Sequence, residues 1–306
     1  MTSAAVTMQS DKSRLMRHAA FAAVGVAVVL IVLKAAAYIL TGSVAMMSSL
    51  ADSALDLFAS TINLFAINQS LVPADNEHRF GHGKAEPLAG LAQGAFIAGS
   101  ATFLVVESVG RIVAPRPLEH ASIGLAVMAV SIAAVTGLVT IQRIAIRHTG
   151  SIAIQADRVH YLGDLATNLG VVLGIALAAR FRILIADPLV ALGVAAVLAA
   201  SAWNIGRRSC DQLMDRELPD RDRDRIKSIV LAHPEVRNLH DLRTRAAGIS
   251  KFVQLHIEMD PAISLVHAHE VSDAVETDIL AAYPDTQVII HQDPVGVEKP
   301  PALARS

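Results

Sequence analysis

Residues 44–70 read VAMMSSLADSALDLFASTINLFAINQS. The stretch is long and apolar enough to cross a bilayer as one helix, which needs about 20 residues. Yet Asp52, Asp56, Ser60 and Asn63 recur through it at three- and four-residue steps, so one face of an apolar cylinder is polar. A second stretch repeats the pattern. In ADRVHYLGDLATN, residues 156–168, His160 and Asp164 share a face with Asp157 and Asn168. A spacing of four sets each pair roughly 6 Å apart along its helix axis. A carboxylate at membrane depth costs about 2.5–3.5 kcal/mol on insertion scales. Three of them repel one another unless a proton or a cation sits between them. Hydrogen-bonded helix glue would suit the Ser and Asn residues but not three anions. Asp52, Asp56, His160 and Asp164 facing one another would hold a divalent cation. Carboxylate plus imidazole suits Zn²⁺, Fe²⁺, Mn²⁺, Co²⁺ or Cd²⁺ better than Mg²⁺ or Ca²⁺. Four such ligands match the tetrahedral preference of zinc.

Working outward, further apolar runs lie near 19–40, 88–109, 121–142 and 186–206, and the second polar-striped span covers 159–179. With 53% hydrophobic residues among 306, the chain reads as an α-helical membrane protein with six transmembrane helices. Lys12, Arg14, Arg17, Arg79, Lys84, Arg143, Arg147, Arg158, Arg207 and Arg208 fall on one side of such a topology. Arg111, Arg116, Arg180 and Arg182 fall on the other. The basic side is cytoplasmic by the positive-inside rule, and both termini lie there. The first apolar run is longer than a signal-peptide core and reads as a retained helix. A net charge of −2 gives no sign of a nucleic-acid partner. Cys210 is the only cysteine, which excludes an internal disulfide and a cysteine zinc cluster.

Charges become dense after the last span. Residues 1–208 therefore form the expected membrane transport domain and 209–306 a separate cytoplasmic domain. The latter reads as helix 221–232, strands 236–246 and 251–259 around Ala247-Gly248, helix 264–282 and strand 286–293. The order αββαβ gives a small α+β, ferredoxin-like unit. Alternation places Val253, Leu255, Ile257 and Met259 on one face of the second strand and His256 on the other. His240 lies on the first strand, His269 on the helix, and His291 and Asp293 share a face of the third strand. These residues are candidate metal ligands or plain surface groups. In the loop PADNEHRFGHGKAEP, residues 73–87, Asp75, His78 and His82 offer three ligands within eight positions. Lys84 beside them is a candidate partner for an acidic group near the end of the last span.

The segments SLADSALD, PADNEHRFGHGKAE, ADRVHYLGD, LMDRELPD, HDLRTR, QLHIEM and VIIHQDP resemble those of the cation diffusion facilitator family, most of all its compact bacterial zinc and iron exporters. The resemblance implies that Asp52, Asp56, His160 and Asp164 form the transport site and that Asp75, His78 and His82 form a loop site. It implies a two-metal cluster held by His240, His256, His269, His291 and Asp293, with Gln292 nearby, although strand alternation turns Gln292 away. It also implies a charge pair between Lys84 and Asp215, a homodimer joined through its tails, and zinc as both substrate and structural ligand. The short link at Arg147–Ser151 favours a bacterial cytoplasmic membrane over the eukaryotic members with a long His-rich loop. His160 stands where manganese-type relatives resemble D-x-x-x-D, which argues for zinc or cadmium.

With neutral His160 the empty site carries about −3, so protons and a divalent ion compete for it. That competition is the requirement for a proton-coupled antiporter exporting Zn²⁺, with Fe²⁺ and Cd²⁺ as further substrates. A membrane metalloenzyme is disfavoured because the H-E-x-x-H helix is absent. A metal sensor without transport would leave the buried Asp pairs without purpose.

Overall fold

The computed structural model describes residues 3–41, 44–113, 122–181 and 186–296. They form two compact units, one within residues 10–210 and one made of 211–296 together with residues 3–9. Arg116 and Arg182, part of the sparse basic set, lie outside the described residues.

The first unit is all helix: α1 Ser3–Thr41, α2 Val44–Ser70, α3 Ala85–Val113, α4 Ser122–Thr149, α5 Ile152–Phe181 and α6 Ala186–Leu213. Each expected apolar run corresponds to a helix; α2 has the expected bounds, and the others run on beyond the apolar stretch at one or both ends. Among the described residues, five helices are long and apolar enough to cross a membrane, one fewer than the six expected. The remaining helix, α5, carries Asp157, Arg158 and Asp164 in its first half. Those charges are bearable because α5 is wrapped by protein, packing against α2, α3 and α4. Gly150, at φ +68°, ends α4 by donating its N–H to Ile146 O at 2.8 Å. Buried Glu86 at the start of α3 accepts the Ile152 N–H at 2.7 Å, satisfying one of the orphan donors at the α5 N-terminus. Gly163 brings α5 against α6: a Cβ there would meet Leu198 Cδ2 at 2.7 Å.

The second unit runs α7 Asp220–Leu231, β1 Asn238–Ala247, β2 Ser250–Met259, α8 Leu265–Ala282 and β3 Thr286–Pro294. This is the expected αββαβ order. The sheet order is β1-β2-β3, with β1 and β2 antiparallel and β2 and β3 parallel. Gly248, at φ +60°, makes the hairpin turn. Val253, Leu255, Ile257 and Met259 are buried with Ile226, Val230, Val271, Val275 and Ile279 of the two helices. This apolar layer leaves the opposite sheet face to polar residues. Ser264 caps α8 by accepting the His267 N–H. Between His240 and Arg243 the register slips, and Asp241 takes φ +48° at this β-bulge.

Candidate metal centres

The polar stripes of α2 and α5 face each other. His160 Nε2 lies 2.9 Å from Asp56 Oδ1 and 3.9 Å from Asp164 Oδ2. One ligand atom from each residue falls within 4.8 Å of the others. Oxygen and nitrogen ligands about 2.1 Å from a tetrahedral zinc lie about 3.4 Å apart. The two observed contacts bracket that spacing. Asp52 lines the same cavity of about 820 Å³ but is not gathered with the other three. It stands one turn back along α2, and its side chain is too short to span the roughly 6 Å rise. The rest of the wall is mostly apolar, with Phe96, Phe103 and Leu198, and adds two hydroxyls from Ser100 and Thr167.

Two further charged residues adjoin this cluster. Asp157, fully buried, accepts from Gln142 Nε2 at 2.7 Å and from Ser60 Oγ at 3.4 Å. Ser60 Oγ in turn lies 2.9 Å from the Tyr161 hydroxyl. This network ties α2, α4 and α5 together beside the site. Lys34, from α1, donates to Ser53 Oγ at 2.7 Å and to Ser49 O at 3.2 Å. Asp56, Asp164 and Asp52 are all within its electrostatic reach. The sequence carried a signal for it, a single charge inside an apolar run, but the carboxylate stripes drew the reading elsewhere.

In the loop before α3, Asp75 Oδ1 accepts the N–H groups of His78 at 2.6 Å and Glu77 at 2.9 Å, an Asx turn. The His78 N–H above all holds the Asp75 carboxyl below the usual carboxylate range. Asp75 Oδ2 lies 3.5 Å from His82 Nε2, and the rings of His78 and His82 are 4.4 Å apart. Gly81, at φ +78°, turns the chain back so that the three ligands converge. The buried Nδ1 of His82 has no hydrogen-bond partner.

On the tail sheet, His240, His256 and His291 stand in one row across the three strands. Asp293, 3% exposed, is the hub. Its Oδ2 lies 2.8 Å from His256 Nδ1 and 3.5 Å from His240 Nε2, and its Oδ1 lies 3.1 Å from His291 Nε2. Neither buried nitrogen of His240 makes a hydrogen bond. A buried imidazole with two unsatisfied nitrogens beside a carboxylate fits a metal ligand better than a core residue. His240, His256 and Asp293 have ligand atoms within 4.8 Å of one another. His269 is set apart on the exposed face of α8, 3.5 Å from Asp273. Gln292 points to the helix side, donating to Ser272 Oγ at 2.8 Å and Ala268 O at 3.2 Å, as strand alternation requires. Asp241 was not foreseen. The bulge sets its carboxylate 3.9 Å from His256 Nε2 while it holds Arg243 in a two-point pair. Asp215 pairs with Arg245 at 3.2 Å.

Two family models match the chain. One, the cation efflux transmembrane domain, covers residues 20–214. The other, the cytoplasmic domain of cation efflux proteins, covers residues 218–295. The cation-efflux pump FieF of Klebsiella pneumoniae is 44% identical over 292 residues, 95% of this chain and 96% of its own. FieF of Shewanella oneidensis is 43% identical over 293 residues, 96% of this chain and 99% of its own. Among solved structures, the metal-bound C-terminal domain of the CzcD transporter from Thermotoga maritima is 33% identical. It covers 25% of this chain and 92% of its own, with a TM-score of 0.24.

Proposed function

The chain belongs to the cation efflux, or cation diffusion facilitator, family, and from that premise we propose that it is a proton-coupled antiporter exporting Zn²⁺ from the cytoplasm, with Fe²⁺ and Cd²⁺ as further substrates. It is a multi-pass membrane transporter of metal cations with a cytoplasmic α+β domain. The observation that carries the finer reading is the convergence of Asp56, His160 and Asp164 from two helices into an apolar-walled cavity. Three ionised acids there, Asp52 included, repel one another when the site is empty, and the imidazole of His160 can relieve only part of that repulsion. Either protons or a doubly charged ion relieves that repulsion, and the two compete for the same atoms. Exposing such a site alternately to the two membrane faces yields exchange.

In this reading Asp52 completes the ligand set in another conformation, when α2 slides relative to α5. Asp75, His78 and His82 hold a second ion in the loop. His240, His256, His291 and Asp293 hold two ions in the tail, with His269 and Gln292 as outlying members of the set. Zinc there acts as a structural and regulatory ligand. Residues 1–208 form the transport domain and 209–306 the regulatory, dimerising domain. The protein works as a homodimer in a bacterial cytoplasmic membrane, with six crossings and both termini in the cytoplasm.

Purified protein in liposomes moves zinc when a pH gradient is imposed, and Asp56→Ala or Asp164→Ala abolishes that flux. Parent-like flux in either variant sinks the assigned site. A panel of Zn²⁺, Fe²⁺, Cd²⁺ and Mn²⁺, with and without the gradient, ranks the substrates and tests the coupling.

A further inference from the structure

We infer that Lys34 is a tethered counter-cation of the transport site, whose fixed charge holds the site's affinity low enough for the ion to leave. The inference rests on the transport-site reading above. Lys34 comes from α1, inside a segment apolar enough to span a membrane. Its ammonium is anchored on α2 by Ser53 Oγ at 2.7 Å and Ser49 O at 3.2 Å, and Ser53 is fully buried. Those two anchors each precede a carboxylate, Asp52 and Asp56, by three residues, so anchors and acids share one helix face. Asp56, Asp164 and Asp52, all in the cavity wall, are the charges that act on the ammonium. Asp157, bound by Gln142 and Ser60, lies outside the cavity wall as Lys34 does, and its charge is common to every Lys34 variant compared.

Charge counting gives the consequence. With neutral His160, the three cavity carboxylates sum to −3, and Lys34 brings the total to −2. One divalent ion then neutralises the site. Without the lysine the incoming ion meets a −3 site and is held harder. A lysine that merely ties α1 to α2 predicts the opposite, because losing a tie loosens the site. The sign of the affinity change therefore separates the two roles.

The experiment measures equilibrium Zn²⁺ binding, without flux, by the full chain in detergent. The background is Asp75→Ala with Asp293→Ala, so that loop and tail ligands are removed. Lys34→Met and Lys34→Gln are expected to bind zinc on the order of tenfold more tightly (about 1.4 kcal/mol), and Lys34→Arg to match the background. Unchanged or weaker binding in Lys34→Gln, which keeps a donor to Ser53, overturns the inference. Should the neutral variants fail to fold, Ser53→Asp keeps the anchor while offsetting the ammonium's charge and is expected to tighten zinc binding; unchanged or weaker binding there overturns the inference equally. An added Asp164→Ala must abolish binding in the background. If it does not, the transport-site reading fails, which is a different outcome from failure of the lysine's role.

Discussion

Replacing Asp293 with alanine should remove two ions from the tail at once. The two carboxylate oxygens face different imidazoles: Oδ2 lies 2.8 Å from His256 and 3.5 Å from His240, while Oδ1 lies 3.1 Å from His291. If two ions sit in this row, the carboxylate bridges them, and its loss takes a ligand from each. Losing an outer partner of a ligand already costs about 10–100-fold in affinity. A direct ligand should cost at least the upper figure, about 2.7 kcal/mol per ion. His291→Ala removes a ligand from one ion only. The assay is equilibrium dialysis of the full-length protein in detergent followed by elemental analysis. Free zinc is set about tenfold above the parent's tail Kd. A hundredfold loss then drops tail occupancy from about 0.9 to about 0.1. One ion in the membrane, one in the loop and two in the tail give four per parent chain, two in Asp293→Ala and three in His291→Ala. Asp293→Asn, which keeps the side-chain volume, controls for loss of packing at this buried position. The bridging geometry is refuted if Asp293→Ala loses a single ion, or if His291→Ala loses as many as Asp293→Ala does.

Three more outcomes follow from the geometry. His160→Asp exchanges the one nitrogen donor for oxygen, so the ratio of Mn²⁺ to Zn²⁺ flux in proteoliposomes should rise by on the order of tenfold; an equal fall in both fluxes counts against selectivity by ligand type. Asp75, held below the ordinary carboxylate range by the His78 N–H, contributes its Asx-turn stability at every pH above about 3.9 and loses it only as pH falls through the lowered value. Asp75→Asn should therefore weaken loop zinc by a constant factor between about pH 5 and 8, and a changed pH dependence within that window argues the contrary. His267 is pushed up by its bonds to Glu270 at 3.1 Å and Glu235 at 2.7 Å, so its stabilising contribution is full below about pH 6.5 and disappears as pH rises through the raised value. With metal chelated, His267→Gln should lower the melting temperature slightly near pH 6 and leave it unchanged in alkali, with a uniform shift at all pH being the adverse result.

The fold was legible where a single periodicity ruled. Apolar runs of spanning length became helices because the bilayer leaves the backbone no other way to satisfy its hydrogen bonds. The alternation of Val253, Leu255, Ile257 and Met259 became a buried face because a strand has no choice about where its odd residues point. The same rule placed His256 and Asp293 on the other face and sent Gln292 to the helix side. In α5 the helical period set His160 and Asp164 on one face, turned toward Asp56 of α2.

What periodicity could not carry is anything set by contact between elements. Asp241 reaches His256 only because the β1–β2 register slips by one residue, and no local pattern in HDLRTR demands that slip. Asp52 and Asp56 look equivalent on a helical wheel, yet only Asp56 meets His160, since the height of α5 against α2 decides which turn of the stripe is engaged. Under the proposed transport reading that inequivalence has a use. A site that engages three ligands in one conformation and has a fourth one turn away can alter its hold on the ion by sliding one helix, without making or breaking the fold around it. Lys34 acts in the same direction, since a positive charge anchored beside the acids keeps the three-ligand state from becoming a trap. A transporter must release what it binds. In the proposed transport site the helix faces would supply the binding, and the half-engaged Asp52 and the tethered lysine the release.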